Sequence, residues 1–94
     1  MFVVLLRFST NRDRASEFMA AHNAWLERGF REGVFLLSGS LEPGGGAVIA
    51  HDTSLSGLQT RVAEDPFVTN DVVSADILEV TPGTADERLS FLIG

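Results

Sequence analysis

The segment VFLLSGSLEPGGGAVIAH, residues 34–51, decides the fold because it places two strands in succession at the middle of the chain. Val34–Ser40 and Ala47–His51 are rich in aliphatic residues, and the turn-forming run Glu42–Gly46 separates them. Two strands joined by such a short turn form an antiparallel hairpin most simply. The elements on either side of this hairpin then determine which architecture contains it.

An amphipathic helix precedes the hairpin, and a strand precedes that helix. Phe2–Phe8 is almost entirely apolar, as in a strand that is buried on both faces. Bulky side chains then recur at helical spacing from Phe18, and Gly33 is a suitable helix stop. The stripe consists of Phe18, Ala21, His22, Trp25, Leu26 and Phe30.

A second helix and a fourth strand follow the hairpin. Asp52–Ser54 supplies capping oxygens, and apolar residues recur at helical spacing from Leu55 to Ala63. Pro66 is expected to end this helix, because the residue before a proline is disfavoured in the helical region. Val72–Val80 is predicted as the fourth strand, with a Pro-Gly stop at 82–83.

The predicted order β-α-β-β-α-β is that of ferredoxin-like α+β folds, in which two helices cover one face of a four-stranded antiparallel sheet. Residues 1–94 are expected to form a single domain, with a core at 2–80 and a C-terminal tail at 81–94. The strands carry apolar residues on both faces, so we expect a second copy of the chain to cover the other face in a homodimer. The tail, predicted as a short helix or strand, is expected to pack on that partner.

The composition restricts the chemistry of the chain. Its 94 residues carry a net charge of −6, all the basic residues are arginines, and there is no lysine or cysteine. Schiff-base and thiol chemistry are therefore excluded. The acidic charge argues against binding to nucleic acids, and no apolar run approaches the about 20 residues of a membrane helix. We expect a cytoplasmic protein that requires neither a metal nor an organic cofactor.

His22 and Asp65 are the residues best suited to acid–base chemistry. His22 lies within the apolar stripe of the first helix, so it is either a core histidine with a satisfied hydrogen bond or part of a cavity wall. Histidine titrates near neutral pH and serves in proton transfer when another group orients its ring. Asp65, at the end of the second predicted helix, is the candidate for that role, although Asp-Pro is also a common solvated junction.

Three further positions carry alternative interpretations. Arg7, inside an apolar strand, either pairs with a carboxylate of the protein or substrate, or packs its stem and extends its head into water. Ser38 and Gly39 interrupt the second strand, and they either permit close approach of a ligand or mark an irregular edge. His51 is expected to be exposed.

An ordered set of motifs resembles the YciI-like (YCII-related) proteins over roughly residues 2–80. The set comprises Ala21-His22, Gly33 eleven positions after the histidine, Leu36–Gly39, and the Asp-Pro-aromatic sequence within Ala63–Val68. The resemblance implies a ferredoxin-like fold that dimerises, with a pocket at a histidine–aspartate pair. By motif position, this pair is His22 and Asp65.

The resemblance also implies a function. A known activity in the family is dehydrochlorination of a chlorinated hydroxyhydroquinone, so we expect a cofactor-independent enzyme of the lyase or isomerase type. His22 is then the general base and Asp65 orients it. Substrate contacts are assigned to Arg7, Trp25, Ser38, Gly39 and Phe67. Ser40 departs from the family pattern, in which a proline often occupies this position, so the identity of the anionic or phenolic small-molecule substrate does not transfer. The alternative function is a non-catalytic dimer that binds a ligand or a protein through the same cleft.

Overall fold

In the computed structural model, which describes residues 1–93, four strands form one antiparallel sheet with helices on one face. The strands are β1 (Phe2–Phe8), β2 (Phe35–Ser40), β3 (Gly46–Ala50) and β4 (Val73–Glu79), in the spatial order β2-β3-β1-β4. The helices are α1 (Ala15–Arg31), α2 (Leu55–Ala63) and the short α3 (Pro66–Thr69). This arrangement is the predicted ferredoxin-like α+β fold.

Alternation along the strands separates a buried face from an open one. In β1, Phe2, Val4 and Leu6 are buried beneath the helices, and the intervening side chains point to the opposite face. The register places Val4 opposite Val48 of β3, so the buried faces of neighbouring strands coincide. The core therefore lies between the sheet and the helices.

Trp25 anchors α1 over this core. Its side chain is 1% exposed, and its indole N–H donates a hydrogen bond to the carbonyl of Arg61 in α2, with an N–O distance of 2.9 Å. The ring also packs edge-on against Phe35 of β2. These contacts fix α1 relative to both α2 and the sheet.

The break between the second and third helices is where the sequence prediction needs correction. Gly33, with a φ of +78°, closes α1 as expected. α2 ends at Ala63 and Asp65 is extended, as expected for the residue before a proline, but the sequence did not predict that Pro66 occupies the first turn of a new helix, α3. Proline is tolerated there because the first amides of a helix have no helical acceptor.

The C-terminal tail contains a 3-10 helix over Glu87–Leu92. Phe91 is half exposed and contacts the ring of His51 edge-on at a centroid distance of 5.6 Å, so His51 is partly covered rather than exposed. Within residues 1–93, no helix is long and apolar enough to cross a membrane. The packing of the tail on a partner and the cytoplasmic location stay predictions.

Candidate active site

A cavity of about 360 Å³ lies between α1, α3 and the sheet. Most of its wall is apolar, and the polar side chains on it come from α1 and β2. The lining residues are Leu6, Phe8, Ala15, Met19, His22, Asn23, Leu26, Ser38, Gly39, Ser40, Gly45, Gly46, Ala47, Val48, Phe67 and Val73. A mostly apolar cavity with a few convergent polar groups is typical of a small-molecule site.

The imidazole of His22 is hydrogen-bonded to the carboxylate of Asp65. The Nδ1–Oδ1 distance is 2.7 Å, the His22 side chain is 11% exposed, and that of Asp65 is fully buried. An ionised carboxylate can only accept, so Nδ1 carries the proton of this bond. In the neutral ring, Nε2 is then the nitrogen with a free lone pair.

Asp65 is held in place by the backbone of α3. Its Oδ1 also accepts a hydrogen bond from the backbone N–H of Phe67 at 3.0 Å, so Asp65 is the N-cap of this helix. The sequence places it at the C-terminal end of the preceding helix, where a negative charge is disfavoured. Asp65 does follow the C-terminus of α2, but its carboxylate faces the free amides that begin α3, which stabilise a negative charge. Oδ2 has no hydrogen-bond partner among residues 1–93.

Two aromatic rings fix the plane of the His22 imidazole. Phe67 stacks parallel to it, with a centroid distance of 4.0 Å and an angle of 5° between the planes. Trp25 lies 5.8 Å away at 28°. The ring is thus positioned by stacking as well as by its bond to Asp65.

The structure brings some of the predicted site residues together and separates others. His22, Asp65 and Phe67 are in contact, and Ser38 and Gly39 lie on the cavity wall. Trp25 is buried in the core and reaches the site only through its contact with His22.

Arg7 does not reach the cavity. Its parity in β1 directs the side chain to the open face of the sheet, where it is 60% exposed and its Nε lies 3.7 Å from Oδ2 of Asp76. Of the two interpretations offered by the sequence, the structure therefore favours a solvated arginine with an acidic neighbour on the adjacent strand.

Ser40, a departure from the family pattern in the sequence, also lies on the cavity wall, because it is two residues after Ser38 and side chains alternate along a strand. Three other lining side chains were not singled out from the sequence as site residues. Asn23 and Met19 belong to α1 beside His22, and Phe8 ends β1, but nothing in their spacing distinguishes them from surface or core residues.

The polar groups of the cavity wall determine what it can do chemically. The His22 imidazole can accept or donate a proton, and the Asn23 amide and the Ser38 and Ser40 hydroxyls can hydrogen-bond ligand oxygens. Within residues 1–93, no group of three or more histidine, cysteine, aspartate or glutamate side chains is arranged to hold a metal ion.

Comparison with known proteins provides a family match and a structural match. The sequence-family model of the YCII-related domain matches residues 1–81 of the chain. Among solved structures, the chain is similar to 5-chloro-2-hydroxyhydroquinone dehydrochlorinase from Burkholderia phenoliruptrix AC1100, in complex with 2,5-dihydroxybenzoquinone. The TM-score is 0.70 at 18% identity, over 88% of this chain and 96% of that one, which confirms the predicted fold. No curated protein sequence matches the chain.

Proposed function

The chain belongs to the family of YCII-related domains, and from this membership and the geometry of its cavity we propose that it is a small-molecule enzyme. His22 acts as the general base, and Asp65 orients it. The observation that supports this proposal is the 2.7 Å hydrogen bond between a cavity-lining imidazole and a fully buried carboxylate. Such a pair fixes the tautomer of the base and stabilises the imidazolium that forms.

The proposed chemistry is proton abstraction, as in a lyase or isomerase reaction. The structural neighbour is a dehydrochlorinase. In an elimination of this kind, the substrate ring reacts as its diketo tautomer, and Nε2 of His22 takes a proton from the sp³ carbon beside the one that bears chlorine. The C–H electron pair forms the new C=C bond, and the chloride leaves with the C–Cl pair. The net loss is HCl, and the step requires no oxidant and no further cofactor.

The substrate is proposed to lie against the imidazole, with its oxygens toward β2. In this proposal the Ser38 hydroxyl donates a hydrogen bond to a phenolic or anionic oxygen, the small Gly39 leaves room for that oxygen, and the Phe67 ring forms part of the adjacent wall. Trp25 supports the imidazole from the core without touching the substrate.

A non-catalytic ligand-binding module is the second candidate function. The specific observation in its favour is the parallel stack of Phe67 on His22, since a histidine that is 11% exposed and packed in this way also serves as a wall residue. In that case the cavity binds a ligand, and His22 only forms part of the cavity wall.

The two candidates are separated by measuring turnover and binding on the same variants. We expect the chain to release chloride from a chlorinated hydroquinone, with 5-chloro-2-hydroxyhydroquinone as the first compound assayed, and His22→Asn to reduce the rate about 10²–10⁴-fold, the usual contribution of a general base. Binding of 2,5-dihydroxybenzoquinone to His22→Asn should be retained. Binding by wild type without turnover of any chlorinated hydroquinone supports the module instead, and the absence of both contradicts the proposed site.

We also propose that the chain functions as a homodimer. One row of side chains on the open face of the sheet is aliphatic on all four strands. The residues in the row are Leu37, Ile49, Val3 and Leu78, which lie opposite one another in the strand register. Leu37 and Leu78 are more than half exposed in the single chain, so a second copy packed on this face would remove them from water.

A further inference from the structure

Phe8 lies at the border between the cavity and solvent. It is the last residue of β1, its ring lines the cavity, and yet its side chain is 40% exposed. The neighbouring wall residues Leu6, Val48 and Val73 are 1–4% exposed and belong to the core. Phe8 is therefore an outer wall of the cavity, whereas those three residues form its floor.

The Phe8 ring is held in position from two sides. The guanidinium carbon of Arg12 lies 4.6 Å from the ring centroid, within the range of a cation–π contact. On another side, a Cβ built on Gly44 would come within 3.1 Å of Cε2 of the ring. The lack of a side chain at Gly44 therefore leaves room for the ring to pack beside the hairpin turn.

Phe8 differs in side-chain flexibility from Met19, which is also large and exposed on the cavity wall. An unbranched thioether adapts its shape to a ligand, so a methionine discriminates poorly between ligands of different size. A flat ring with fixed neighbours presents a rigid wall. Ligand size is therefore limited on the side of Phe8 rather than on that of Met19.

We propose that Phe8 is the specificity-determining residue of this cavity and that its ring, held by Arg12 and Gly44, restricts the ligand to a single planar ring. This inference rests on the proposed function, because it concerns the same site. The cavity volume of about 360 Å³ falls in the range of small-molecule sites, so any restriction to a single ring comes from the position of Phe8 and not from the total volume.

The test compares two neutral probes that differ by one ring. Phenol and 2-naphthol are titrated into the ¹⁵N-labelled chain, with the ring signals of His22 reporting occupation of the cavity. Wild type should bind phenol more tightly than 2-naphthol. Phe8→Ala should move the ratio of dissociation constants about tenfold or more toward 2-naphthol, and Arg12→Gln should move it in the same direction by about two- to threefold, in line with a loosened rather than a missing wall.

Arg14→Gln is the matched control. Arg14 makes the same type of contact with Phe18, at 5.2 Å, and neither residue lines the cavity, so the ratio should not change. If Phe8→Ala unfolds, Phe8→Leu provides a smaller wall in a folded chain. An unchanged ratio in these Phe8 variants, with phenol still shifting the His22 signals, overturns the role of Phe8 alone. Phenol that leaves the His22 signals of wild type unmoved counts against the proposed site itself.

Discussion

Asp65 connects the backbone of one helix to a side chain of another through a single carboxylate oxygen. Oδ1 accepts from the Phe67 amide and from the His22 ring, and the residue is fully buried. Replacing it with alanine removes a helix cap and leaves a nearly buried imidazole N–H without an acceptor. We expect Asp65→Ala to lower the free energy of unfolding by about 2–4 kcal/mol, measured by urea denaturation.

Asp86→Ala is the control for this prediction. Asp86 caps the 3-10 helix of the tail through the amide of Arg88, in the same i to i+2 geometry, but it is exposed. The Arg88 hydrogen bonds lower the pKa of this carboxyl, and its removal should leave the unfolding midpoint nearly unchanged. Nitrogen NMR of the His22 ring should also show the proton on Nδ1 in wild type. A proton on Nε2 would contradict the orienting role of Asp65.

His22 and Asp65 could be singled out from the sequence, but only the family resemblance, and not their spacing, predicted that they form a pair. His22 is conspicuous as a titratable group in an apolar stripe, and Asp65 as the residue before a proline. They lie 43 positions apart on two elements, and helical spacing alone does not determine how α1 and α3 approach each other. The position of the Arg7 side chain, by contrast, follows from strand alternation. Arg7 is adjacent to Leu6 in β1, so it points to the face of the sheet that the helices do not cover.

At the scale of elements, Gly29 sets the approach of α1 to the sheet. It is buried in α1, and a Cβ at this position would overlap the ring of Phe35 in β2. Alanine stabilises an exposed helix by about 1 kcal/mol relative to glycine, but overpacking a core costs about 1–3 kcal/mol. Because the overlap is with the body of a buried ring, we expect Gly29→Ala to destabilise the chain by about 1–2 kcal/mol in urea unfolding.

Gly83→Ala provides the comparison for Gly29→Ala. Apart from its chain neighbours, no atom of residues 1–93 lies within 4 Å of a Cβ built on Gly83, so the unfolding midpoint of Gly83→Ala should equal that of wild type. A Gly29→Ala chain that is more stable than wild type would show that helix propensity outweighs the contact with Phe35. In that case α1 would not be held close to β2 by this glycine.

The strands and the two longer helices were predictable because their apolar periodicity is strong, and the omission of α3 has a physical cause. Pro66 disfavours the helical conformation of the residue before it, and it is also well suited to begin a helix. Asp65 followed by Pro66 fits both a stop and a start, and the four residues of α3 are too few to show a helical period. In the structure, a new helix starts at this point, and its N-cap residue Asp65 also makes a tertiary hydrogen bond with His22.

For the whole molecule, the open face of the sheet is the feature that a single chain leaves incomplete. The aliphatic row Leu37, Ile49, Val3 and Leu78 crosses all four strands, and the adjoining charges are those of Arg7 and Asp76, which neutralise each other. A net charge of −6 opposes self-association, but this face carries little of it. The repulsion between two copies is therefore weakest where their apolar surfaces would meet.

Sedimentation equilibrium tests whether two copies associate through this face. We expect wild type to have a mass about twice the 10.2 kDa of the chain. Leu78→Glu should raise the dissociation constant about a hundredfold or more, because an unpaired carboxylate in an interface costs about 3–5 kcal/mol. Leu55→Glu is the matched control, since Leu55 is similarly exposed but lies on α2 on the opposite side of the sheet, and it should leave the dimer intact. A monomeric wild type, or a dimer that tolerates Leu78→Glu, would show that the open face is not the interface.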